Sequence, residues 1–308
     1  MREPEATRGR LAPSPTGHLH LGHARTFWVA YQRVRSAAGG LVFRNEDLDY
    51  QRCKPEFVQS MYEDLRWLGL DWDEGPDRGG PFAPYSQSQR RSFYLQAWHA
   101  LRDTGLIYPC TCTRKDLERA LQAPHEGDSV QSGDNDDDGG DDEIRYPGTC
   151  RHNVATARQW ESPAGVSWRF RVPEDEAIAF DDLFFGRQQF TAGRDFSDFL
   201  IWRRDDIPAY QLAVVVDDEA MQISEIVRGA DLLKSTARQL LLIRALGYAT
   251  PKYFHCPLMR DENNVRLAKR HDSLSLRTLR AQGVDPAALR EKFAIEIEWK
   301  RSGDRVIG

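Results

Sequence analysis

The first fifty residues constrain the fold most, because strand, loop, helix and strand follow one another there with little chain to spare. Arg8 to Ala12 has the length and composition of a strand, Pro13 to Gly17 form the loop PSPTG, and a helix is predicted from about His20 to Ala38. LVFRNEDLD at Leu41 to Asp49 supplies the next strand, and Gly39 and Gly40 are the expected helix stop. Two strands joined through one helix pair in parallel, which places this half of the chain in the α/β class. From Pro55 onward Phe57, Met61, Leu65 and Leu68 recur at spacings of four, four and three, one apolar face of a further helix. Another helix is predicted over about Gln89 to Asp103, with Phe93, Ala97 and Leu101 on one side.

Farther along, VSWRFRV (Val166 to Val172) and DFLIWRR (Asp198 to Arg204) carry strand patterns. The apolar run at Ala213 to Asp218 is predicted to be a buried strand ending at two carboxylates. Ser235 is placed as the N-cap of a helix running to Gly247, and Asp285 with Pro286 as N-cap and first residue of a last helix. Between these halves, residues 108 to 160 are too irregular for sheet and are expected to form an inserted hook.

A chain of 308 residues can bury a large core, and with 40% hydrophobic and 29% charged residues it is neither a disordered nor a collagenous nor a membrane composition. No apolar run approaches the roughly 18 residues of a membrane span, and the N-terminal MREPEATRGR lacks the apolar centre of a signal peptide, so a cytoplasmic protein is expected. The formal charge of −5 argues at first against a nucleic-acid partner. Nine acidic residues, however, lie between Glu126 and Glu143 without a Lys or Arg, and removing them turns −5 into +4. That run, about 124 to 144, is predicted to be a solvated, mobile insertion, and the basic remainder suits a phosphate-rich partner. Three of the five cysteines, Cys110, Cys112 and Cys150, flank it. In a reducing compartment that spacing favours a metal over disulfides, with Tyr146 and His152 as candidates for a fourth ligand to zinc.

HLGH at His20 to His23 would be weak evidence alone. It lies one turn into the helix after a strand and a Pro/Gly loop, where helix N-terminal amides face phosphate in an α/β sheet. LAKRH at Leu267 to His271 brings Lys269, a mobile cation of the type that neutralises a departing pyrophosphate.

Together RLAPSPTGHLHLGHART (Arg10 to Thr26), FRNEDLD (Phe43 to Asp49), DFLIWRRDDIPAYQLAVVVDD (Asp198 to Asp218), EIVRGADLL (Glu225 to Leu233) and RLAKRH (Arg266 to His271) resemble the class I aminoacyl-tRNA synthetases of the glutamyl group. HLGH stands where that family carries HIGH. LAKRH resembles its KMSKS loop, with Ala268 in place of the usual serine and Arg266 in place of the leading lysine. The resemblance implies a Rossmann-like catalytic fold in two halves, 8–107 and 161–250. It also implies a zinc-binding hook at 108–160 and a KMSKS-like loop with a short helical extension at 251–308. It further implies ATP with Mg2+, bound through His20, Gly22, His23 and Lys269, of which His20, His23 and Lys269 would be catalytic. L-glutamate would be held by Arg10, Leu11, Ala12, Pro13, Ser14, Glu46, Tyr210 and Arg228, two arginines to clasp carboxylate and Glu46 to meet the α-ammonium.

Only 37 residues follow His271, so no anticodon-binding domain is expected. The chain therefore resembles the short branch of the family, the glutamyl-queuosine tRNA(Asp) synthetases, which activate glutamate without tRNA and load it onto queuosine in the anticodon loop of tRNA(Asp). Short relatives with Tyr-x-x-x-Cys use the tyrosine as zinc ligand, and the resemblance implies the set Cys110, Cys112, Tyr146 and Cys150. A monomer is expected.

Overall fold

The computed structural model describes residues 6–113, 115–117, 145–259 and 275–303. Strand β1 (Arg8–Leu11) leads into helix α1 (Leu21–Ser36) and returns as β2 (Gly40–Phe43). The two strands pair in parallel, Arg8 opposite Gly40 through Leu11 opposite Phe43, as the alternation predicts. The second strand stops at Phe43 rather than Asp49, because β1 ends at Leu11, whose C=O takes the Arg44 N–H, and the backbone then turns to another partner, Asn45 N–H bonding to Tyr85 C=O. The end of α1 also differs in detail. The left-handed residue is Ala38 (φ 50°), whereas Gly39 is needed for close approach, since a Cβ there would lie 2.1 Å from the Thr7 carbonyl oxygen.

Helices α2 (Pro55–Trp67) and α3 (Arg91–Thr104) follow, the second entered by a short 3-10 turn at Gln87–Gln89. Strands β3 (Ile107–Cys110), β4 (Ser167–Phe170), β5 (Ala177–Asp182), β6 (Gly186–Thr191) and β7 (Phe199–Trp202) come next, with a 3-10 helix at Arg151–Gln159 between β3 and β4. β3, β4 and β7 form an antiparallel sheet. The predicted hook is therefore not irregular from its start: Tyr108 to Cys110 are strand, because they pair with Ser167 to Arg169.

Helix α4 (Tyr210–Ala220) occupies the run expected to be a strand. Every residue from Leu212 to Asp218 is buried. An apolar segment enclosed on all sides shows neither a period of two nor a one-sided stripe, so the sequence pattern could not separate the two forms. β8 (Glu225–Gly229), α5 (Leu233–Leu246) and β9 (Lys252–Cys256) follow, then α6 (Leu276–Ala281) and α7 (Pro286–Gly303). Ser235 lies inside α5 rather than capping it, while Gly247 does end that helix in the left-handed region. Asp285 caps α7 as predicted, its Oδ1 accepting Ala287 N–H at 2.9 Å.

The second sheet runs β6-β5-β9-β8, with β5, β9 and β8 parallel. Ser224, just before β8, donates its N–H to Arg8 C=O, so β8 starts beside β1 and the two parallel pairs lie edge to edge. One apolar core joins α3, β4, β7, α4 and α5; another joins α1, β1, β2 and α2 to Leu276 and Phe293 of the C-terminal helices. Among the described residues no helix is long and apolar enough to cross a membrane. The predicted acidic insertion and the segment with Arg266, Ala268, Lys269 and His271 lie outside the described residues.

Candidate active site

Parallel strands end their backbone ladders together, and the loops leaving them must find other partners. Here the loop after β1 and the chain after β2 satisfy one another: Arg44 N–H bonds to Leu11 C=O and Glu46 N–H to Pro13 C=O. Leu11, Ala12, Pro13 and Ser14 are thereby laid beside Glu46, with Leu11 and Pro13 buried and Ser14 exposed.

Into this corner project charges from four elements. Arg10 on β1 donates from Nη1 to Val227 C=O at 2.9 Å, and its Nε lies 3.4 Å from Asp218 Oδ1. Arg44 donates to Asp218 at 2.6 Å and to Glu46 Oε1 at 3.0 Å. Burial alone would lower the Arg44 guanidinium, but Asp218, Glu46 and Asp217 raise it well above its ordinary value. Burial lowers Arg10 despite Asp218, and lifts the Glu46 carboxyl despite Arg44 and Arg10. Tyr210, first residue of α4, is half-buried. Burial raises its phenol against the opposing fields of Arg228 and Arg10. Arg228 on β8 is buried, donates from Nη2 to Thr236 Oγ1 at 2.7 Å and from Nε to His255 Nε2 at 3.2 Å, and lies 5.5 Å over the Tyr253 ring. Its Nη1 makes no hydrogen bond among the described residues. Three guanidinium groups (Arg10, Arg44, Arg228) thus face two carboxylates (Glu46, Asp218), and the surplus positive charge favours an anionic occupant.

A third carboxylate stands behind these two. Asp217 is fully buried and accepts from Arg90 Nε at 2.6 Å, Gln87 at 2.8 Å and Tyr94 at 3.0 Å. Its partners tie the start of α3 to α4 and so fix the helix that carries Tyr210 and Asp218.

At the other side of the β1 loop, His20 is the N-cap of α1, its Nδ1 accepting Gly22 N–H at 3.1 Å, and its ring stacks on His23 at 3.8 Å. A Cβ on Gly22 would come within 3.0 Å of the His20 ring, so glycine lets the imidazole fold back over the helix start. His20 also pairs with Ser275, and Leu276 N–H bonds to Leu19 C=O at 2.7 Å. Residue 275, the end of the segment that contains Lys269, is therefore fastened beside the two histidines. Lys269 itself lies outside the described residues.

The cysteine cluster is separate. Cys110, Cys112 and Cys150 have their sulfurs within 4.8 Å of one another. The Tyr146 hydroxyl oxygen accepts from Cys110 Sγ at 3.4 Å, lies 3.8 Å from Cys112 Sγ, and accepts Cys150 N–H at 2.8 Å. Burial would raise the Cys150 thiol, but bonds from the Thr111 backbone, Tyr146, Cys112 and the Thr111 hydroxyl bring it down to about 7; burial and Cys150 push Cys112 up to about 11. Three soft sulfurs and a phenol at such spacing fit a tetrahedral zinc ion. His152 is exposed on the 3-10 helix.

Residues that the sequence pattern did not point to are Arg44, Asp217, Asp218, Thr236 and His255. Two signals were available, a pair of carboxylates ending an apolar run and an arginine directly following a buried strand; both say that a charge is being buried and needs a partner.

The family described as "tRNA synthetases class I (E and Q), catalytic domain" matches residues 6–305. A curated relative named Glutamyl-Q tRNA(Asp) synthetase, from Nitratidesulfovibrio vulgaris, is 48% identical over 283 residues, covering 91% of this chain and 83% of the relative. Glutamate--tRNA ligase 2 from Acidithiobacillus ferrooxidans is 40% identical over 296 residues, 93% of this chain but 57% of that protein. The crystal structure of a glutamate tRNA ligase from Elizabethkingia meningosepticum, in complex with its amino acid, superposes with a TM-score of 0.73 at 28% identity, over 87% of this chain and 53% of that one.

Proposed function

Because the chain belongs to the family of class I tRNA synthetases (E and Q) through their catalytic domain, we propose that it activates L-glutamate with ATP and transfers the glutamyl group to the queuosine base of tRNA(Asp). The observation that carries the amino-acid choice is the pocket of Arg10, Glu46, Tyr210 and Arg228 with its one surplus positive charge. A side-chain carboxylate restores neutrality there, whereas the uncharged amide of glutamine would leave a guanidinium uncompensated.

In the activation step an oxygen of the α-carboxylate forms a bond to the α-phosphorus of ATP, the bond from that phosphorus to the bridging oxygen breaks, and pyrophosphate leaves with the electron pair. Nothing in this exchange needs a nucleophilic side chain; positioning and charge neutralisation suffice. Arg228 would take the side-chain carboxylate through Nη1, and Glu46 the α-ammonium through Oε2, since its Oε1 is engaged by Arg44. Arg10 and Tyr210 would complete the pocket, with the Leu11 to Ser14 backbone as its wall. His20, Gly22 and His23 at the start of α1 would meet the ATP phosphates, and Lys269 the departing pyrophosphate, with Mg2+ accompanying the nucleotide. Cys110, Cys112, Cys150 and Tyr146 would hold one zinc ion in the hook 108–160, between catalytic halves 8–107 and 161–250 and ahead of the extension 251–308. A cytoplasmic monomer accords with this reading.

The acceptor rests on the higher identity to the relative named for glutamyl-Q and tRNA(Asp) than to the glutamate–tRNA ligase. Incubation with ATP, labelled glutamate and tRNA(Asp) with or without queuosine tests it. Label that appears only with the modified tRNA and resides in the anticodon loop is the expected result. Label on the 3′ adenosine would instead assign ordinary tRNA charging.

A further inference from the structure

Behind Arg228 lies a buried pair that meets the pocket through Arg228. Asp182 ends β5, and its Oδ1 accepts the N–H groups of Phe184 at 2.9 Å and Phe185 at 2.8 Å. Its Oδ2 accepts His255 N–H at 3.1 Å and lies 2.7 Å from His255 Nδ1. Both side chains are fully buried. Burial would raise the Asp182 carboxyl, but the bonds from His255, Phe185 and Phe184 hold it below its ordinary range, while burial pushes the His255 imidazole down despite Asp182. A neutral imidazole facing a carboxylate carries its proton on Nδ1, which leaves Nε2 as a bare acceptor. Arg228 Nε donates to it at 3.2 Å, and Thr236 Oγ1, which donates its own proton to Leu232 C=O at 3.2 Å, lies 3.1 Å away. With Nε on His255 and Nη2 on Thr236, the guanidinium plane is fixed along one edge and Nη1 is left to the pocket.

We propose that Asp182 and His255 are positioning residues for Arg228: the carboxylate selects the imidazole tautomer whose bare Nε2 orients the guanidinium toward the substrate's side-chain carboxylate. This rests on the glutamate reading above. The Asp182→Asn change keeps the shape but not the tautomer. Its Oδ1 must go on accepting from Phe184 and Phe185, so the amide nitrogen falls against Nδ1, the proton moves to Nε2, and that N–H meets Arg228 Nε–H donor to donor.

The experiment has two readings. Nitrogen-15 NMR of His255 in the wild-type protein at neutral pH is expected to show Nδ1 protonated and Nε2 bare; a protonated Nε2 overturns the proposal. In glutamate-dependent ATP–pyrophosphate exchange, Asp182→Asn is expected to raise the KM for glutamate about tenfold or more with the KM for ATP changed less than about twofold, as loss of one oriented charged hydrogen bond implies. A glutamate KM within about twofold of wild type in the folded variant overturns it. Should Asp182→Asn not unfold cooperatively, Thr236→Val removes the Nη2 partner at constant volume, and a glutamate KM raised about threefold or more supports the proposal while an unchanged one overturns it. Absence of exchange in the wild type would instead overturn the glutamate reading itself, and this inference with it.

Discussion

In the pocket Arg44 reaches Asp218 at 2.6 Å and Glu46 at 3.0 Å, and Arg90 reaches Asp217 at 2.6 Å. In the cysteine cluster the side-chain contacts are longer, 3.4 Å from Cys110 Sγ to the Tyr146 hydroxyl, 3.6 Å between Cys112 and Cys150 and 3.9 Å from Thr111 to Cys150. The pocket consists of opposite charges that folding alone brings together and pairs, apart from the one surplus guanidinium charge left for an anion. The cluster consists of weak donors and acceptors whose mutual bonds contribute little, so its contribution to stability depends on what the sulfurs bind. Function and stability should therefore separate between the two regions.

The largest effect is expected from Arg228→Ala. A buried anion left without its cation costs about 3–5 kcal/mol, so glutamate-dependent pyrophosphate exchange should fall by about two to four orders of magnitude. Unaltered exchange would show that the side-chain carboxylate is held elsewhere. Next comes Asp217→Ala, which strands Arg90 and removes the partner of Gln87 and Tyr94. Denaturant unfolding should show a loss of about 3–5 kcal/mol, the expected consequence of an uncompensated buried charge. A loss below about 1 kcal/mol would mean that water or another group replaces the carboxylate, and the charges behind the pocket would no longer count as paired by folding.

How far the sequence disclosed these two regions follows from the range of their contacts. The β1–α1–β2 unit was readable because its signals are local: two short apolar runs, a Pro/Gly loop and a helical period within about forty residues. Cys110, Cys112 and Cys150 were readable because thiols gathered on both sides of one polar insertion point to a shared metal, and Tyr146 followed from its spacing to Cys150 through motif resemblance. Arg10, Glu46, Tyr210 and Arg228 were also reached through resemblance, since nothing within a few residues of Tyr210 foretells Arg228. The partners that hold them were missed for the same reason. Arg44 and Asp218 are 174 residues apart in sequence, and Asp182 and His255 are 73 apart. The run at Ala213 to Asp218 misled because complete burial erases periodicity, and Ser235 because a serine can cap a helix or, as here, lie buried inside it.

The third test addresses the cluster. Removing metal with a chelator, or replacing Cys150 by Ala, should lower the Tm while the glutamate KM stays within about twofold, as expected for sites that share no partners. An equal loss of activity and stability would abolish the separation between the two regions. Metal analysis of Tyr146→Phe against His152→Ala then assigns the fourth ligand. Zinc lost only from the tyrosine variant is expected, and zinc lost only from the histidine variant would overturn the choice.

The smallest effect concerns pH. His255 is fully buried, and burial holds its imidazole below the ordinary value of 6.5 despite the neighbouring Asp182. In the unfolded chain the same group titrates near 6.5, so as the pH falls through that value the unfolded state takes up a proton before the folded state does. Stability from this group is therefore complete above about 6.5 and is lost as the pH falls from there toward the lower folded value, opposite to a histidine that gains a partner for its charged form. Asp182 adds in the same direction at more acid pH, because its carboxyl is depressed in the folded state. Denaturant midpoints measured between pH 7 and 5 should decline in the wild type and decline less in His255→Gln, which has no imidazole to protonate. Equal slopes in the two proteins would mean that His255 binds its proton as readily folded as unfolded, and the neutral imidazole on which Arg228 leans would have to be given up.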